Sequence, residues 1–194
     1  MDPLEHHPYK PFIPPHAKKM IIGNFPIGKF SNPERFHEVK EGDIPFYYGG
    51  STNRLWFLIG LCFDVRLDSK KKIQAFLSEH KIGVADILLS CRRLKGSALD
   101  SALYDKTYNQ ELAGLIEKKG IVELIFTSKH VHQEFKKHIG KFPGLTHTVL
   151  ISPSPNAVRG LVKNKEYLAL KKKNSELSVV DFRIRKYQEV FCAG

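Results

Sequence analysis

A chain of 194 residues that is 42% hydrophobic is long enough to bury one core and suits a single domain, 1–194. Its net charge of +11 points to a polyanionic partner. No amphipathic Lys/Arg helix favours a membrane surface, so nucleic acid is the expected one. Cys62, Cys91 and Cys192 form neither a CxxC pair nor a disulfide framework. That pattern argues against an iron–sulfur cluster or structural zinc and points to a reducing cytoplasm. No apolar run reaches membrane-spanning length, and MDPLEHHPYKP lacks a signal-peptide core.

In chain order, residues 1–16 are rich in Pro and His and predict an extended arm over the domain. Lys18–Gly23 is a short apolar run, the pattern of a buried parallel strand. The following NFPIGKFSNPERFHEVKEGDIP carries three prolines and two glycines and predicts a long, irregular, functional connection. It leads into FYYGGSTNRLWF, residues 46–57, where three rings meet Gly49-Gly50, two positions free to take φ > 0. Rings beside flexible backbone and short polar groups suit a planar, hydrogen-bonding ligand such as a nucleobase. The competing reading is a plain aromatic core segment.

Residues 53–63 predict a buried helix, apolar all round, and 68–80 a second with Ile73, Phe76 and Leu77 inward. Residues 82–89 read as a second buried strand leading into SCRRLKGSALDS. Thr107–Gln110 fits a capping box opening a helix that stops at Gly120. Residues 122–126 and 146–151 read as the third and fourth strands, with a helix capped by Ser128 between them. Further helices follow, with Leu168, Leu170, Phe182, Ile184 and Tyr187 as inward candidates. Alternating strands and helices predict a three-layer α/β/α sandwich on a four-stranded parallel sheet. Sites in such sheets lie beyond the strand C-termini. Four polar loops would gather there: NFPIG, SCRR, TSK and SPSPN.

Several chemistries find no motif. There is no GxSxG elbow, Walker loop or GxGxxG. His130 and His132, two apart on a helix, point to different faces and suit a solvated surface better than joint metal ligation.

Gly23-Asn-Phe-Pro26 and Ser152-Pro-Ser-Pro-Asn156 resemble the two signature motifs of the uracil-DNA glycosylase superfamily. FYYGGSTNRLW, GVADILLSCRRLKGSALDSA and IFTSKHV fall between them in matching order. The pattern, over about residues 8–162, is most similar to the hypoxanthine-DNA glycosylase-like branch, family 6, and to mismatch-specific G:U glycosylases.

The resemblance implies the same three-layer fold and a monomeric, cofactor-free and metal-free enzyme of base-excision repair. Such an enzyme cuts the N-glycosidic bond of hypoxanthine or uracil flipped out of DNA. Many relatives place a water-positioning Asp or Asn where this chain has Phe25. In the resembled branch the catalytic Asn lies just before the Trp, and Asn53 matches it, although that branch's preceding His and Arg are replaced by Gly50 and Thr52. The resemblance puts Asn24, Phe25, Tyr48 and Ser90 at the base. Ser90 stands about where uracil-specific relatives carry an Asn, and Ser152 where some carry a His. A serine cannot make the bidentate amide contact, so strict uracil specificity is not expected. Ser152, Ser154, Asn156, Lys129 and Lys163 would meet DNA, with Val158 or Arg159 as the wedge filling the vacated stack. The alternatives are an inactive DNA-binding module of the same fold and an enzyme of free nucleosides, the latter disfavoured by the charge.

Overall fold

A computed structural model describes residues 2–94, 97 and 99–192. Lys95, Gly96 and Ala98 of the SCRRLKGSALDS segment lie outside the described residues, as do Met1, Ala193 and Gly194. The chain is an α/β sandwich on a four-stranded parallel sheet. Its strands are β2 (Lys19–Gly23), β3 (Ile82–Asp86), β6 (Glu123–Phe126) and β7 (Thr146–Val149), in the order β3-β2-β6-β7.

Side chains alternate across this sheet, and helices cover both faces. Ile21, Val84 and Ile125 point to one side. There they pack with α2 (Leu55–Phe63), α3 (Lys70–Glu79) and α8 (Val179–Phe191) through Leu55, Trp56, Ile59, Ile73, Leu77 and Tyr187. Met20, Ile22, Leu124 and Phe126 point to the other. Their partners include Leu112 and Ile116 of α4 (Glu111–Lys119) and Val131 and Phe135 of α5 (Lys129–His138). Two other short helices, α6 (Val158–Leu161) and α7 (Lys165–Lys173), precede α8. Tyr167, Leu177 and Phe182 form a third cluster with Leu161.

A second sheet departs from the expected pattern. The N-terminal arm is held by β1 (Leu4–His6), which pairs antiparallel with β4 (Leu88–Arg93), which pairs in turn with β5 (Leu103–Tyr108). The apolar run 82–89 is therefore two strands. The chain leaves the parallel sheet at Ile87, whose N–H bonds the Gly23 carbonyl at 3.0 Å. Thr107 lies in β5 opposite Ser90 and caps nothing; α4 begins at Glu111 without a side-chain cap. Propensity for a cap yielded there to strand pairing.

A buried ion pair fastens the arm. Arg93 Nε donates to Glu5 Oε2 at 3.1 Å, Ser31 Oγ donates to the same oxygen at 2.7 Å, and Arg93 Nη2 reaches the Pro26 carbonyl at 2.6 Å. Ser31 belongs to α1 (Gly28–Ser31), which with a 3₁₀ turn at Pro33–Glu38 gives regular structure to the connection after β2. Helix α2 is buried on one side only: Phe57 and Leu61 are exposed. In α7 it is Tyr167 that turns inward, while Leu168 is exposed. Ser69 and Ser128 cap α3 and α5, and Gly120 ends α4 in the left-handed region, φ 62°.

Asp43 organises the loop ahead of FYYGGSTN. Its carboxylate accepts from Lys29 Nζ at 2.5 Å, Lys40 N at 2.9 Å and Ser51 N at 2.8 Å. Burial alone would raise its pKa, but these donors overcome that and hold it at about 2. A depressed folded pKa stabilises above the unfolded value of 3.8 and loses that contribution as pH falls through the folded one. Acid titration followed by near-ultraviolet circular dichroism is therefore expected to give a Phe46–Trp56 signal that weakens between pH about 4 and about 2. An Asp43→Asn variant should be weakened already at neutral pH and lose that acid step. An identical acid step in the variant would contradict the assignment.

Candidate functional site

The parallel strands end in a cavity of about 390 Å³, within the size range of small-molecule sites. Four segments line it: residues 24–27 after β2, 46–50 with Thr52 and Asn53, Thr127-Ser128 after β6, and 152–157 after β7. Asp86 at the end of β3, together with Phe30, Leu99 and Asp100, completes the wall. The loops after β2, β6 and β7 thus meet as expected. The SCRR segment does not, because residues 90–93 are part of β4.

The floor is polar and unsatisfied. Asn24 is 5% exposed, and neither its Oδ1 nor its Nδ2 has a partner. Asp86 is 6% exposed and leaves Oδ1 unpartnered. Its Oδ2 lies 3.0 Å from His7 Nε2. Such groups pay a desolvation cost that a bound ligand can relieve.

The walls are aromatic. Tyr48 takes φ 55°, an unfavourable conformation for a bulky residue. Its hydroxyl donates to Thr127 Oγ1 at 2.8 Å, and Thr127 passes a hydrogen bond to the Ile22 carbonyl at 3.2 Å. Burial, and secondarily the charge of Asp86, push the Tyr48 pKa well above its usual value. Phe25 lines the cavity with its ring 5.7 Å from that of His7, edge to face.

The positive φ falls on Tyr48 rather than on Gly49 or Gly50. Those glycines serve close approach instead. A Cβ at Gly49 would stand 1.7 Å from the Ile44 carbonyl oxygen, and one at Gly50 2.7 Å from Ile27 Cδ1.

Asn53 lines the cavity, its Oδ1 accepting the N–H of Leu55, the first residue of α2, at 2.9 Å. Ser152 Oγ accepts from Ser154 N and Ser154 Oγ from Asn156 N, each at 3.3 Å, which leaves both hydroxyls their own hydrogens to donate. Asn156 is exposed at the mouth. Val158 and Arg159 open α6 just beyond Ala157, and both are exposed, as are Lys129 and Lys163. These four do not line the cavity but stand on the segments that frame it.

Ser90 is the one expected site residue that lies elsewhere. It pairs with His6 and Thr107 inside the three-stranded sheet and is buried there. The physical reason is the break at Ile87: the parallel strand ends at Asp86, three residues earlier than the apolar run 82–89 suggests. Asp86 occupies that strand end.

Two further residues escaped the sequence reading. Arg183, buried in α8, donates from Nη2 to the Ser152 and Ser154 carbonyls, both at 2.7 Å, and so clamps the SPSPN loop. Desolvation lowers its pKa. His7, from the arm, reaches Asp86 across 79 residues of sequence. A Pro/His-rich terminus gives no local signal of such a contact. His132 and His147 pair at 3.1 Å against the Phe126 ring, so His132 is packed rather than solvated. Burial pushes the Cys91 thiol up to about 12, an unreactive state.

No family model and no curated protein matches the chain. Solved structures do match. One is the solution NMR structure of a protein from Methanosarcina acetivorans described as a "putative Uracil DNA glycosylase". It is 20% identical, with 96% of each chain covered and a TM-score of 0.61. The sandwich on a four-stranded parallel sheet, with its loops at the strand C-termini, is the fold of that protein.

Proposed function

We propose that this chain is a DNA glycosylase that hydrolyses the N-glycosidic bond of a deaminated base flipped out of DNA, hypoxanthine first and uracil second. The observation that carries the reading is the cavity at the strand ends. A buried amide with both polar atoms unpartnered lies beneath aromatic walls, in a chain of net charge +11. A flipped base needs stacking faces and hydrogen bonds to its edge. Phe25 and Tyr48 supply the faces, and Asn24 the edge contact.

Dissociative hydrolysis of a nucleoside requires no nucleophilic side chain. The base departs with the bonding electrons, water adds to the sugar cation and loses a proton that the departed base anion takes up, and DNA phosphates stabilise the developing charge. Asn53 is assigned to the water. Its Oδ1 is fixed by the Leu55 N–H and keeps a second lone pair for a water hydrogen. Ser152, Ser154 and Asn156 take the phosphates flanking the flipped nucleotide, and Val158 or Arg159 enters the vacated stack.

One observation favours a second reading, an inactive DNA-binding module. The Asn53 side-chain oxygen is already occupied by the Leu55 N–H, and Phe25 offers no water-binding group. Alkali cleavage of end-labelled duplexes carrying hypoxanthine, uracil or xanthine separates the two, since only base release leaves an alkali-labile site. Binding itself should show little sequence preference and fall steeply with salt as counterions are released. Neutralising Lys129, Arg159 and Lys163 together is expected to flatten that salt slope by about three counterions' worth, measured by anisotropy. An affinity unchanged between low and moderate salt would contradict DNA as the partner.

A further inference from the structure

We infer that Arg183 is a positioning residue whose buried charge makes the SPSPN loop a seat for one phosphate beside the flipped nucleotide; this rests on the DNA-binding reading given above. The backbone carbonyls of four successive residues, 151–154, are all engaged by the protein itself. Tyr187 Oη donates to the Ile151 carbonyl at 3.0 Å, and Arg183 Nη2 to those of Ser152 and Ser154 at 2.7 Å each. Between them, the Arg54 backbone N–H donates to the Pro153 carbonyl at 3.2 Å. The negative ends of these four peptide dipoles are therefore covered, and none is left bare to repel an anion.

What the loop has left to offer is donors. Ser152 Oγ accepts from Ser154 N and Ser154 Oγ from Asn156 N, so each hydroxyl keeps its own hydrogen. Both serines are half-buried and line the cavity. Pro153 and Pro155 fix their own φ, which lowers the entropy cost of holding this arrangement. A phosphate there receives hydroxyl hydrogens and meets no competing carbonyl lone pair.

The charge beneath the loop is uncompensated. Arg183 is 4% exposed, and its Nε has no partner. Among the described residues no carboxylate acts on it, whereas a second cation, Arg54, does. Buried charges are ordinarily paired, because an unpaired one carries a large desolvation cost. An arginine nevertheless stays protonated. Holding two carbonyls requires only a neutral donor, so the clamp alone does not account for a cation at this position. An anion on the cavity side of the loop does. Water is scarce around the guanidinium, so its attraction for a phosphate is weakly screened.

The test couples the residue to the phosphate. Duplexes carry one tetrahydrofuran abasic analogue at the centre, with either flanking phosphate replaced singly by an uncharged methylphosphonate, and binding is read by fluorescence anisotropy. For wild type, one of the two replacements is expected to weaken binding about tenfold, the scale of a charge-assisted contact. Arg183→Gln, which keeps a neutral donor, should lose about tenfold on the unmodified duplex and almost nothing further on that methylphosphonate. Arg183→Lys keeps the charge and should stay within about threefold of wild type. Should Arg183→Gln fail to fold, as judged by thermal melting, the wild-type response and the lysine variant still decide. Indifference of wild type to both methylphosphonates would overturn the inference. So would a glutamine variant that binds as wild type does, losses that multiply, or a lysine variant as weak as the glutamine one. The expected coupling without base release from hypoxanthine duplexes would sink the glycosylase reading and leave this one standing.

Discussion

Replacing Asn53 by Ala is expected to lower single-turnover base release by about 100-fold or more, the scale on which removal of one preorganised polar contact acts on a developing charge. DNA affinity should be nearly intact, since the basic residues framing the site do not depend on this amide. The substitution also removes the acceptor of the Leu55 N–H, a hydrogen bond worth about 1 kcal/mol. For a chain of this size that is a melting shift of a few degrees, which a thermal scan would register separately from the kinetic effect. Asn24→Ala should slow release less. The opposite order would make the first motif the water-positioning one and leave Asn53 the structural role of accepting the Leu55 N–H.

The largest stability effect is expected at Arg93. Its guanidinium is the charged partner of Glu5, with side chains only 4% and 3% exposed, and it also holds the Pro26 carbonyl. Arg93→Met would strand a buried carboxylate at a cost of about 3–5 kcal/mol. Melting should fall on the order of 10 °C. The double variant with Glu5→Leu should recover most of this, because an apolar pair of similar volume leaves no orphaned charge. A single variant that melts within about 2 °C of wild type would show that the pair is not what fastens the arm. The consequence reaches the cavity: Arg93 and Glu5 seat β1, and β1 delivers His7 to Asp86.

The parallel sheet was legible in the sequence because three of its strands, β2, β3 and β6, are short, mostly apolar and largely buried segments, while the edge strand β7 is only partly buried. The helices were legible from their inward stripes, Ile73–Phe76–Leu77 above all. The three-stranded sheet was not. Nothing local in LEH or LYDKTY announces pairing with the far half of an apolar run, and the same blindness put Ser90 at the cavity. Asn24, Phe25, Tyr48, Asn53, Ser152, Ser154 and Asn156 do converge there. What brings them together is long-range: the Tyr48–Thr127 hydrogen bond and the Arg183 clamp on the last loop. Gly49-Gly50 suggested backbone freedom; Gly49 is instead required by the close Ile44 carbonyl.

Release of hypoxanthine and of uracil from otherwise identical duplexes under single-turnover conditions, with an unmodified duplex as control, tests the account most directly. The proposed activity predicts release of both modified bases and neither normal one, with hypoxanthine the faster. Faster uracil release would reject the proposed order of preference, and release of neither, by a folded protein that still binds DNA, would contradict the proposed activity itself.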